Sequence, residues 1–91
     1  MATVTVSSGV TYTISSGQTD TSDTVLSSGV LIVDSGGISS ATTISSGGSE
    51  TVFGTDSSGT ILGGGSETVS SGGLASGATI LVSGSEIVLG T

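Results

Sequence analysis

The sequence contains no lysine, arginine or histidine, no cysteine, no proline and no tryptophan. The missing cations exclude the most. Nucleic-acid binding draws most of its affinity from Lys and Arg neutralising phosphates, and anionic membrane surfaces recruit proteins through the same side chains. Neither partner suits a chain of 91 residues with a formal net charge of -7. Catalysis also loses its usual parts, because no side chain has an unperturbed titration near neutrality and no guanidinium can stabilise a developing anion. Carboxylates remain, but a pair of them runs glycoside hydrolysis only across a substrate cleft. The expectation is a chain that is not an enzyme and holds no cofactor.

The absence of cysteine removes any disulfide framework that could support a small core. Aromatic residues make up 2% of the chain, Tyr12 and Phe53 alone, so the large side chains that usually dominate a core are nearly absent. A polar, Gly-rich chain of this kind invites disorder. Against that stand the lack of proline and the regular spacing of Val, Ile and Leu. The N-terminus shows no basic segment followed by an apolar one, and no apolar run approaches membrane-spanning length, so this segment is not expected to insert directly into a membrane.

What is present is a period. The β-branched apolar residues that follow a small or apolar residue and precede a turn are Val6, Ile14, Val25, Val33, Ile44, Val52, Ile61, Val69, Ile80 and Val88, at successive spacings of 8, 11, 8, 11, 8, 9, 8, 11 and 8. A long step alternates with a short one. The pair recurs as a 19-residue unit, from Val6 to Val25 to Ile44 and from Ile61 to Ile80, with one shortened copy between Ile44 and Ile61. The residue before the anchor is Thr5, Thr13, Thr24, Thr43, Thr51, Thr60, Thr68 or Thr79 in eight cases, with Ile32 and Ile87 in the other two. Both members of such a step suit a strand, and alternation sends one inward and the other outward. Turns such as Ser7-Ser8-Gly9 and Ser45-Ser46-Gly47-Gly48 follow, where Gly permits positive φ and Ser bonds its own backbone.

The density of Gly, Ser and Thr and the absence of a 3.6-residue period exclude helix. An antiparallel sandwich is the rival, since short strands bounded by regularly spaced turns describe that class too. A sandwich has no reason to repeat its sequence in register, whereas stacked parallel coils place equivalent residues above one another. The fold expected is therefore all-β: a parallel β-solenoid over residues 1–91, one repeat domain of about ten short coils in 19-residue two-coil repeats. At roughly 4.8 Å per rung this gives a thin rod on the order of 48 Å long. Ile38 and Leu74 are expected as second inward side chains of the long coils. The sequence begins and ends inside the repeat without a visible cap, which leaves strand edges for like solenoids to meet end to end or side by side.

The seven carboxylates are dispersed and read as solubilising charge. Their most regular feature is Gly-Ser-Glu, ending at Glu50, Glu67 and Glu86, two residues before an anchor. An oxygen-rich ladder suits calcium, but glutamates on every second rung, about 9.6 Å apart in water, repel by only about 0.4 kcal/mol. A solvated edge is the plainer expectation, with Asp20 and Asp23 a weaker acidic candidate, and no metal is assigned. Gly63-Gly64-Gly65 lacks the Lys-Ser/Thr of a phosphate loop. Thr3-Val4-Thr5 and Thr11-Tyr12-Thr13 form the paired ranks of an ice-binding solenoid, a pattern that fades beyond them.

Over Gly36-Gly37-Ile38-Ser39-Ser40-Ala41-Thr42-Thr43-Ile44-Ser45-Ser46-Gly47-Gly48 and Gly72-Gly73-Leu74-Ala75-Ser76-Gly77-Ala78-Thr79-Ile80, the sequence resembles the AIDA-type repeats of autotransporter adhesins. The resemblance extends over nearly the whole chain, more loosely in the first unit. It implies a right-handed β-solenoid passenger, a fragment of a longer protein whose signal and anchor lie outside this chain, displayed on the bacterial cell surface or secreted and used in adhesion. It also implies a protein heptosyltransferase as partner, acting on Ser and Thr; the matching positions are Ser7, Ser8, Ser15, Ser16, Ser27, Ser28, Ser45, Ser46, Ser70 and Ser71. A self-assembling extracellular filament subunit and an ice-binding solenoid are the alternatives.

Overall fold

The structure, a computed structural model, describes residues 3–89. Short β-rich segments alternate with Gly/Ser corners along the chain, giving β1 (Thr5–Val6), β2 (Thr11–Ile14), β3 (Thr19–Thr21), β4 (Thr24–Val25), β5 (Val30–Val33), β6 (Ile38–Ser40) and β7 (Thr43–Ile44). The second half repeats them as β8 (Ser49–Val52), β9 (Thr55–Ser57), β10 (Thr60–Ile61), β11 (Ser66–Val69), β12 (Leu74–Ser76), β13 (Thr79–Ile80) and β14 (Ser85–Val88). Every third strand belongs to the same parallel sheet. One face stacks β1-β4-β7-β10-β13, the second β2-β5-β8-β11-β14 and the third β3-β6-β9-β12. The chain is a β-solenoid of four complete three-stranded coils and the first two strands of a fifth.

This corrects the expected coil count. The 19-residue repeat is a single coil, not two, and the molecule measures 30 × 24 × 18 Å, well short of the rod that ten rungs would build. Two anchors facing the axis from two faces of one coil have the same spacing as anchors in two successive coils. Closure separates the cases. Eight residues of strand supply only about 26 Å of chain, too little to run around an apolar interior and return one rung higher. The short step turns one corner from the first face to the second, and the long step includes the third face.

Apart from the corner between β8 and β9, each corner holds a residue with positive φ, and these residues stack. Gly9, Ser28, Gly47, Gly64 and Ser83 form one row, in which the N–H of Gly9 donates to Ser28 O, Ser28 to Gly47, Gly47 to Gly64 and Gly64 to Ser83. Ser22, Ala41, Ser58 and Gly77 form another. The third coil is the shortened copy of the repeat because the corner between β8 and β9 lacks two of the residues its equivalents have. Phe53 and Gly54 alone make it, both donating to Val33 O, while Gly54 O accepts from Leu74 N and so rejoins the ladder. The shortcut draws backbones together. A Cβ on Gly54 would lie 2.3 Å from Asp34 O and 2.4 Å from Gly37 O.

The core is a pair of aliphatic columns. Val6, Val25, Ile44 and Ile61 on the first face and Ile14, Val33, Val52 and Val69 on the second are fully buried, with Leu31 beside them. Ile80 and Val88 continue these columns in register, but the fifth coil has no described coil above it, and they are 44% and 49% exposed. The preceding threonines lie on the outer side, exposed or half-buried, as alternation requires. Ile38 and Leu74 do not point inward. They are 41% and 40% exposed in an outer row with Thr19 and Thr55, and Ser39 and Ala75 take the inward position of their strands.

Two substitutions test this arrangement by urea denaturation. Gly54→Ala is expected to cost about 2–4 kcal/mol, because backbone oxygens cannot step aside for its Cβ. Ile44→Asp is expected to cost about 3 kcal/mol more than Thr43→Asp, since only the former adds a carboxyl to an aliphatic column. Equal losses for the Ile44 and Thr43 variants would reject the inward and outward assignment.

Candidate functional site: a carboxyl column inside the coils

Two residues before each second-face anchor, alternation returns the side chain to the interior. That position holds Tyr12, Leu31, Glu50, Glu67 and Glu86 in successive coils, aligned in parallel register. The central residue of the third face also turns inward and is Asp20, Ser39, Asp56 or Ala75. A third inward position, two residues before the first-face anchors, holds the buried residues Asp23, Thr42 and Gly59 in the second to fourth coils. Beside the aliphatic columns there is thus a polar one.

Five of the seven carboxylates lie in it: Asp20, Asp23, Glu50, Asp56 and Glu67 are each no more than 1% exposed. The expectation of dispersed, solvated charge is therefore wrong for most of them, including two of the three Gly-Ser-Glu glutamates. The distance is corrected as well. Glu50 and Glu67 sit on adjacent rungs, so the repulsion acts over about 4.8 Å, half the spacing first expected, and out of water, where an ionised pair at an effective dielectric of about 20 would lose on the order of 3 kcal/mol.

The first two coils satisfy part of their polar column. Gln18 Nε2 donates to Tyr12 Oη at 2.8 Å and to Asp20 Oδ1 at 3.0 Å, and Val4 N donates to Asp23 Oδ1 at 2.8 Å. Ser39 and Thr42 share a buried hydroxyl–hydroxyl bond. The buried carboxyls of the third and fourth coils find no donor among the described residues. Both oxygens of Glu50, Asp56 and Glu67 are buried without a hydrogen-bond partner. One oxygen from each of these side chains lies within 4.8 Å of one from each of the others. Asp56 reaches toward the next coil, where a Cβ on Gly59 would stand 2.8 Å from Asp56 Oδ2; the glycine leaves that space to the carboxyl.

Ionised carboxylates can only accept, so the cluster holds together if protons or a cation enter it. Protons are strongly favoured. Burial, with the Asp56 charge next, pushes Glu50 well above the ordinary carboxylate range. Burial raises Asp56 too. Burial pushes Glu67 up to about 11, with the neighbouring Asp56 carboxyl and the charges of Glu50 and Glu86 adding to it. In the second coil burial raises Asp23 to about 6 against the opposing Val4 N–H bond. The surface over the described residues opens into no cleft. Chemically the column can exchange protons or hold an ion, and its carboxyl oxygens are closed off from solvent.

The other positions singled out in the sequence lie on the outside. Ser7, Ser8, Ser15, Ser16, Ser27, Ser28, Ser46 and Ser71 are exposed at corners, and Ser45 and Ser70 are half-buried there. Several pack under the next coil: a Cβ on Gly36, Gly47 or Gly64 would meet the Oγ of Ser16, Ser27 or Ser46 at 2.5 to 2.6 Å. No protein-family model and no curated protein matches the chain.

The buried carboxyls give stability an inverted pH dependence. Groups whose folded-state affinity for protons is raised stabilise the fold fully below the ordinary carboxylate range, and this contribution is lost as pH rises, through about 6 for Asp23 and toward about 11 for Glu67. In a chelating buffer the melting temperature is expected to fall steadily from pH 4 to pH 9. Each extra proton held by the folded state contributes a slope of about 1.4 kcal/mol per pH unit. Glu67→Gln should flatten that slope, and a melting temperature that climbs with pH would show the cluster to be ionised.

Proposed function

We propose that this chain is a structural and adhesive stalk module of a bacterial surface-exposed autotransporter passenger, wound right-handed as parallel strand connections almost always are. The observation that carries the reading is the separation of the repeat into two independent parts. In-register ladders and inward columns hold the stack, while the outer threonines and the side chains of most corner serines lie outside the core. Such a rod lengthens by adding coils, each contributing the same contacts, and its outer surface is rich in hydroxyl groups open to glycosylation. The half-exposed Ile80 and Val88 belong to columns that a further coil in the same register would cover.

Adhesion and modification are tested separately. Cells displaying the chain at their surface are expected to settle from suspension several-fold faster than cells displaying the same anchor alone; equal settling removes the adhesive role. Co-expression with a protein heptosyltransferase is expected to add mass in constant heptose increments, mapped by fragmentation to the corner serines. An unchanged intact mass removes the role of glycosylation substrate and leaves the stalk unmodified.

A further inference from the structure

We infer that Glu50, Asp56 and Glu67 form an internal calcium site that ties the third and fourth coils together. The carboxyls come from β8, β9 and β11, so an ion among them would bridge two faces and two successive coils. Clustering alone does not argue for an ion. The independent observation is that all six oxygens are buried without a partner, on side chains each only 1% exposed, in a chain with no Lys, Arg or His to supply a donor. The uncompensated desolvation of these oxygens points to a bound species.

The donor set selects among cations. Three carboxylates binding through both oxygens supply six ligands, the lower end of the six to eight that calcium takes, at about 2.3–2.6 Å in flexible geometry. One oxygen from each of the three carboxyls lies within 4.8 Å of one from each of the others, which fits around such a centre. Magnesium demands a near-ideal octahedron and keeps several waters, which an interior otherwise filled by Ile44, Val52, Ile61 and Val69 does not offer. Thiolate and imidazole metals find no ligand, since the chain lacks both groups.

Calcium binds the three carboxylates only once they have lost their protons, and it neutralises two of their three charges. The ion therefore competes with protons, and binding strengthens as pH rises. The other acids along the interior, Asp20 and Asp23 below and Glu86 above on β14, add negative potential from either side. No oxygen of the cluster reaches solvent, so the ion enters as the coils close during folding and leaves only when they open.

The test is to unfold the whole chain in urea and refold it at pH 8 in either millimolar calcium chloride or a chelator with sodium chloride at matched ionic strength. After desalting, elemental analysis is expected to find one calcium per chain in the first sample and none in the second. The calcium sample should melt about 10 °C higher, as a ligand in hundredfold excess over its Kd stabilises a small domain. At pH 4.5 both the stoichiometry and the shift should be lost. The triple variant E50Q/D56N/E67Q should hold no calcium and melt identically in both buffers. A wild-type chain that emerges calcium-free, with equal melting temperatures, overturns the proposal and leaves protons as the only neutralising species. Undiminished calcium on the triple variant also overturns it, assigning the ion to outer carboxylates. If the triple variant does not fold, the single variant Glu67→Gln takes its place: loss of the calcium supports the site, and undiminished calcium overturns it.

Discussion

The hydrogen-bond ladder between successive coils governs everything else in this molecule. Each strand pairs with its equivalent one repeat away, in parallel and without slippage, so every side chain sits above its own counterpart. Parallel stacking has no means of placing a residue above a complementary partner unless the repeat itself varies. For Val and Ile this is favourable, since burying each side chain contributes about 1.5–3 kcal/mol. For glutamate it is unfavourable, and the ladder enforces it all the same.

The two kinds of column therefore oppose each other within one interior. Nine fully buried aliphatic residues hold the coils together, while buried acids without a cationic side chain to pair with push the same coils apart unless something neutralises them. Local variation in the repeat limits the damage. Gln18 bridges Tyr12 and Asp20, and the hydroxyls of Ser39 and Thr42 satisfy each other. Gly59 leaves room for the Asp56 carboxyl. At Glu50, Asp56 and Glu67 both oxygens of every carboxyl lack a partner, so the join between the third and fourth coils is where the arrangement depends most on protons or an ion from outside the chain.

Part of the polar column was legible in the residues. In Ser49-Glu50-Thr51-Val52 the glutamate stands two positions from an inward valine, and a period of two places both on one face. Reading acids as surface charge, a rule that holds for most proteins, hid that parity. A similar preference for size misplaced Ile38 and Leu74: they are the most apolar residues of their strands, yet their strands turn Ser39 and Ala75 inward. What no periodicity shows is that Asp56, on a different face, meets Glu50 and Glu67, because that contact depends on how the third coil closes after its shortened corner.

The sequence by itself determined the strands, the corners, the parallel in-register stack and the two aliphatic columns. These follow from alternation within a strand and from repetition along the chain, and both are local or periodic properties. Only the tertiary structure decided how many strands make a coil, since the spacing of anchors is the same whether the short step closes a rung or turns one corner of it. It also decided that five carboxylates lie out of water, because burial depends on which faces enclose a position, and a face exists only once the coil has closed.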